Sequence, residues 1–78
     1  MGDIRARFTN HYDESRKYTI WDLGRDPNQP PVVFDDYLDK GKSTDWLTLH
    51  ERGRVRYKRS DGSAQEVDVS DSRDVDME

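Results

Sequence analysis

Apolar and polar residues alternate with a period of two along most of this chain, the spacing that places successive side chains on opposite faces of an extended strand. Ile4, Ala6 and Phe8 alternate with Arg5 and Arg7. Tyr18, Ile20 and Asp22 alternate with Thr19, Trp21 and Leu23; this run is apolar on both faces, which predicts a central strand. Val32 to Tyr37 is a β-branched and aromatic run. Leu47 and Leu49 alternate with Trp46, Thr48 and His50, Val55 and Tyr57 with Arg54, Arg56 and Lys58, and Val67 and Val69 with Glu66 and Asp68. Val75 and Met77 form a last short pair.

Turn formers separate these runs: Asn10 to Lys17, Gly24 to Pro31, Asp39 to Thr44, Glu51 to Gly53, and Ser60-Asp61-Gly62. No window holds apolar residues at helical spacing for the ten or so positions a stable helix needs, although Asp35 to Lys40 is long enough for one turn. The pattern predicts an all-β domain over residues 1–70, a small antiparallel β-sandwich with an immunoglobulin-like arrangement or a partly open barrel, of six to seven short strands. Residues 71–78 read as an acidic C-terminal tail, either an edge strand or disordered.

The last hairpin can be set in register from its side chains. A two-residue turn at Asp61-Gly62 pairs Tyr57 with Glu66 and mixes core and solvent faces. A three-residue loop, Ser60-Asp61-Gly62, with the glycine in the left-handed region, instead pairs Val55 with Val67, Arg56 with Glu66 and Arg54 with Asp68. All apolar side chains then share one face, and opposite charges meet across the other.

Charge alters the picture only locally. The net −4 conceals segments of 0 (residues 1–26), −2 (27–50), +3 (51–62) and −5 (63–78), and the hairpin register pairs the basic block with the acidic one that follows. At 78 residues the chain buries roughly 60% of its unfolded surface, which leaves little room for an enclosed catalytic cavity. Cysteine is absent, removing disulfides, a thiolate nucleophile and cysteine zinc ligands, and pointing to a reducing compartment, the cytoplasm of a bacterial source. The N-terminus has no signal-peptide pattern, and no apolar run reaches the ~18 residues of a membrane helix, so a soluble protein with no membrane partner is expected.

Motifs of chemistry are weak. Gly41-Lys42-Ser43 ends like a phosphate-binding loop, but Asp36 stands where the first glycine belongs and a strand follows where a helix is needed. His11 and His50 each lack a second histidine at ligand spacing, and Asp71, Asp74 and Asp76 lack the glycine and glutamate of a calcium loop, so no metal and no cofactor is expected. Paired carboxylates (Asp13-Glu14, Asp35-Asp36, Asp22 with Asp26) are plentiful but unremarkable among 17 acidic residues, and Ser43, Asp45 and His50 lack a nucleophile elbow. The chain therefore reads as not an enzyme. Single-stranded nucleic acid on the Arg54/Arg56/Lys58 face is disfavoured, because the facing acids neutralise it and Tyr57 points away.

The surplus is aromatic. If Leu47 and Leu49 face the core, Trp46, Thr48 and His50 face outward, and an outward tryptophan forms a patch of the kind that marks interaction sites. The expectation is a non-catalytic interaction module that binds a protein partner or itself through Trp46, Thr48 and His50, supported by Trp21 and Tyr37. Carbohydrate or small-ligand recognition through the same aromatics, with Asp45 beside Trp46, is the alternative.

Overall fold

A computed structural model describes residues 2–77. Met1 and Glu78, the first residue of the expected domain and the last of the expected tail, lie outside the described residues. Among the described residues seven strands form: β1 (Ile4–Asn10), β2 (Arg16–Asp22), β3 (Val32–Leu38), β4 (Leu47–Leu49), β5 (Arg54–Arg59), β6 (Ala64–Asp68) and β7 (Arg73–Met77). They make a three-stranded sheet in the order β4-β1-β7 and a four-stranded sheet in the order β3-β2-β5-β6. The result is a β-sandwich rather than a closed barrel. Its likeness to the immunoglobulin arrangement is one of two packed layers; the strand order is different.

Alternation decides which side chains meet between the sheets. Ala6 and Phe8 of β1, Leu49 of β4 and Met77 of β7 pack against Tyr18 and Ile20 of β2, Leu38 of β3, and Val55 and Tyr57 of β5. β2 is central, flanked by β3 and β5, as its two apolar faces predict. The buried Asn10 is fully used: its amide nitrogen donates to the Glu14 and Leu38 carbonyls, and its oxygen accepts from the Tyr12 N–H and the Tyr18 hydroxyl. That network closes one end of the interior without an orphaned polar group.

The last hairpin has the expected register: Arg54, Val55 and Arg56 lie opposite Asp68, Val67 and Glu66. Its turn chemistry differs from the expectation. Gly62 is not among the glycines of positive φ, which are Gly41 and Gly53; an ordinary bond from Gly62 N–H to the Arg59 carbonyl (2.9 Å) closes the loop. Asp35 to Lys40 form no helical turn: Asp35 to Leu38 continue β3, and the chain reverses within the expected turn formers Asp39 to Thr44, where Gly41 takes φ 77°.

Two further features required the structure. β4 is only three residues long because the Thr44 hydroxyl takes the Phe8 N–H (3.1 Å), a bond a ladder carbonyl would otherwise accept. Arg73–Met77 form β7, which runs along one edge of the three-stranded sheet parallel to β1, from Ala6↔Arg73 to Asn10↔Met77, with Met77 fully buried.

Candidate functional site

The five candidate residues divide between the two outer surfaces. Trp46 and Thr48 lie on the outside of the three-stranded sheet, Trp21 and Tyr37 on the outside of the four-stranded sheet, and His50 sits at the end of β4. They do not form one patch.

On the three-stranded sheet the Arg7 guanidinium stacks over the Trp46 ring, 5.0 Å from its centre, and reaches Asp74 at 2.6 Å. The Thr9 hydroxyl donates to the other Asp74 oxygen (2.8 Å), so the Ser43 hydroxyl donates to Thr9 (2.7 Å). These bonds, that to Arg7 first, hold the Asp74 carboxyl below its usual range. His11 contacts Asp76 at 2.9 Å. The expected outward Trp46 is thus 45% exposed, but one ring face is taken and its neighbours are paired with one another.

His50 is tied into the end of the sandwich. Its N–H donates to the buried Asp22 carboxylate at 2.9 Å, and its Nδ1 accepts the Arg52 N–H at 3.1 Å. Ser43 lies beside Thr9, whereas Leu49, next to His50, lies beside Ile4. Five residues along β1, about 16 Å, keep serine and histidine apart, so no hydrolytic triad assembles. The Gly41-Lys42-Ser43 loop is no phosphate cradle either, since the Gly41 and Lys42 N–H groups are spent on Asn10 and Asp39 carbonyls. Among the described residues no group of three His, Cys, Asp or Glu could hold a metal ion.

The outer face of the four-stranded sheet is built in rungs. Val32, Trp21, Arg56 and Glu66 lie side by side across β3, β2, β5 and β6; Asp35, Thr19, Lys58 and Ala64 form the next, followed by Tyr37 and Lys17. Lys17 pairs with Asp35 (3.6 Å) and Arg56 with Glu66 (3.1 Å). Val32 is 53% and Tyr37 69% exposed, and the Tyr37 ring and hydroxyl have no partner among the described residues.

Beside Trp21 this face opens into a cleft of about 240 Å³ that the sequence pattern did not reveal. Leu23, Gly24 and Pro27 form one side of it, and Arg52, Arg54 and Arg56 the other, with Glu66 at the β6 end. Leu23 is buried yet stands outside the main core cluster, so its apolar surface serves the cleft instead. Gly24 lets the walls approach: a Cβ there would come within 3.1 Å of Arg52 Cβ. Glu66 contacts both Arg54 (3.6 Å) and Arg56 (3.1 Å), and Asp68 takes Arg54 at 3.0 Å. The Arg52 guanidinium has no such partner among the described residues. The only signals in the sequence were the basic block at residues 51–62 and the glycine after Leu23.

No protein-family model matches the chain, and comparison with curated proteins and with solved structures finds no match.

Proposed function

We propose that this chain is a non-catalytic interaction module whose protein partner lies across the outer face of the four-stranded sheet. One observation carries the reading: among the described residues, two of the three exposed large apolar side chains, Val32 and Tyr37, stand on that face. Trp21 lies in the rung of Val32. Aromatic side chains beside neutralised charge are what a desolvated protein interface needs. Trp46, the third exposed side chain, is covered on one ring face by Arg7 and is the weaker anchor. Glu66, the carboxylate in the cleft, is already engaged by two arginines of the same chain.

The partner engages the face rather than adding a strand to β3. That edge carries a register shift at Ile20/Trp21 and two adjacent carboxylates, and the Asp36 carboxylate takes the Tyr37 N–H at 2.7 Å. Bulges and edge charges are the devices by which strand addition is discouraged. β3-to-β3 pairing of two copies would also set Asp35 and Asp36 against their counterparts.

The test is affinity capture from cells of the source organism with tagged wild type, Tyr37→Ala, Trp21→Ala and Trp46→Ala, read by quantitative mass spectrometry. The expected result is a protein lost with Tyr37→Ala and Trp21→Ala and kept with Trp46→Ala. A captured set that none of the substitutions alters overturns the proposal.

A further inference from the structure

The arginine-walled cleft asks for a ligand of definite chemistry. Its charge runs against that of the molecule: three arginines and one glutamate line it, in a chain of net charge −4. Its walls are of two kinds, an apolar side at Leu23 and Pro27 and a guanidinium side. Glu66 shows that a carboxylate fits there, since it spans Arg54 and Arg56 from within the same chain. Arg52 is left over. It projects from the loop between β4 and β5, exposed and without a carboxylate of its own among the described residues.

We infer that the cleft is a docking site for a short acidic peptide segment of the partner, with an Asp or Glu side chain on Arg52 and a neighbouring apolar side chain against Leu23 and Pro27. This rests on the proposed protein-binding face, of which the cleft is the continuation: Arg56 is both a cleft wall and the cross-strand neighbour of Trp21. The guanidinium fork suits a planar carboxylate, and a pair of N–H···O bonds to it fixes the peptide's register. A phosphate dianion is the poorer fit, because it meets the Glu66 charge and leaves the Leu23 wall uncovered. Nucleic acid is poorer still, since Arg54 and Arg56 already have carboxylates and only Arg52 remains to neutralise a phosphate. Among the described residues the C-terminal acids are engaged elsewhere: Asp74 is held by Arg7 and Thr9, Asp76 by His11, and Asp71 accepts the Arg5 N–H.

The test is an NMR titration of the isotopically labelled full chain with the capped peptide Leu-Asp-Asp-Leu, its Leu-Asn-Asn-Leu counterpart, and inorganic phosphate. The acidic peptide should shift the amides of Gly24, Arg52 and Arg54 and bind about tenfold more tightly than the amide peptide, the worth of one charge-assisted contact. Arg52→Ala should weaken it about tenfold, and Glu66→Gln should strengthen it by freeing Arg56, while Asp68 still holds Arg54. Equal binding of the two peptides, phosphate binding as tight as the acidic peptide, no shift at these amides, or indifference to Arg52→Ala would each overturn the inference. Sedimentation of the free chain supplies another arm, in which a dimer abolished by Arg52→Ala would identify a second copy as the occupant and overturn a separate partner. Peptide binding with a captured set insensitive to Tyr37→Ala rejects the broader face while sparing the cleft; the opposite combination rejects the cleft alone.

Discussion

The buried carboxylate of Asp22 receives the backbone N–H of His50 at 2.9 Å, joining the end of β2 to the end of β4 across the two sheets. The same carboxylate accepts the Arg25 N–H at 3.3 Å. Asp22→Ala therefore strands the part-buried His50 and Arg25 N–H donors and should cost about 1–3 kcal/mol, read as a lower urea midpoint with an unchanged slope. Asp22→Asn keeps one acceptor and should recover part of the loss. A wild-type midpoint for Asp22→Ala would remove this strut from the account.

Gly53 is held at φ 67° in the turn before β5, and a Cβ added to it would fall 2.1 Å from the Val69 carbonyl oxygen. The left-handed backbone alone costs an alanine about 1–2 kcal/mol, and the collision adds to it. Gly41 has a similar φ of 77° but open space around it. Thermal melts should place Gly53→Ala well below Gly41→Ala; equal melting temperatures would contradict the collision.

Across β5 and β6 the Arg56–Glu66 pair is more than one-third exposed at both ends, so solvent screens it. A double-mutant cycle with Arg56→Gln and Glu66→Gln should give a coupling of about 0.2–1 kcal/mol. In molar salt the coupling should shrink further. A coupling of zero at low salt would show that the register is held by Val55 and Val67 alone.

Acid should weaken the fold through two particular carboxyls. Asp61 is held low by bonds from Arg59 and Arg16, and Asp74 by bonds from Arg7 and Thr9. Because their folded values lie below the unfolded one of about 3.9, their stabilisation is complete above that pH and is lost as pH falls through the folded values. Urea midpoints measured from pH 7 down to pH 2 should fall more gently in Asp74→Asn than in the wild type below about pH 4. Parallel curves would show that Asp74 carries no folding linkage.

What the sequence made legible was whatever depends on neighbours along the chain. The side-chain period placed Leu49 inside and Trp46 outside, and the hairpin charges set Arg56 opposite Glu66, all as found. Pairings that depend on distant segments were not legible. The Trp46 pattern says only that it points out and the Trp21 run is apolar on both faces, so neither pattern says that the two tryptophans lie on opposite outer surfaces. Leu23 read as a continuation of β2, but the Gly24 approach to Arg52 makes it the side of a cleft. Nothing local announces that Arg73–Met77 lies parallel to β1.

That parallel pairing bears on how the domain is assembled. Arg7 and its partner Asp74 are 67 positions apart, so β1 waits for nearly the whole domain before its second neighbour reaches it. Contacts of such separation place a fold among the slow ones, on a scale of milliseconds to seconds. During synthesis the β2-β3 and β5-β6 hairpins can form early, while Phe8 stays uncovered until Val75 and Met77 emerge. A nascent chain of this domain therefore has a defined window of vulnerability to aggregation, and it closes only when the seventh strand docks.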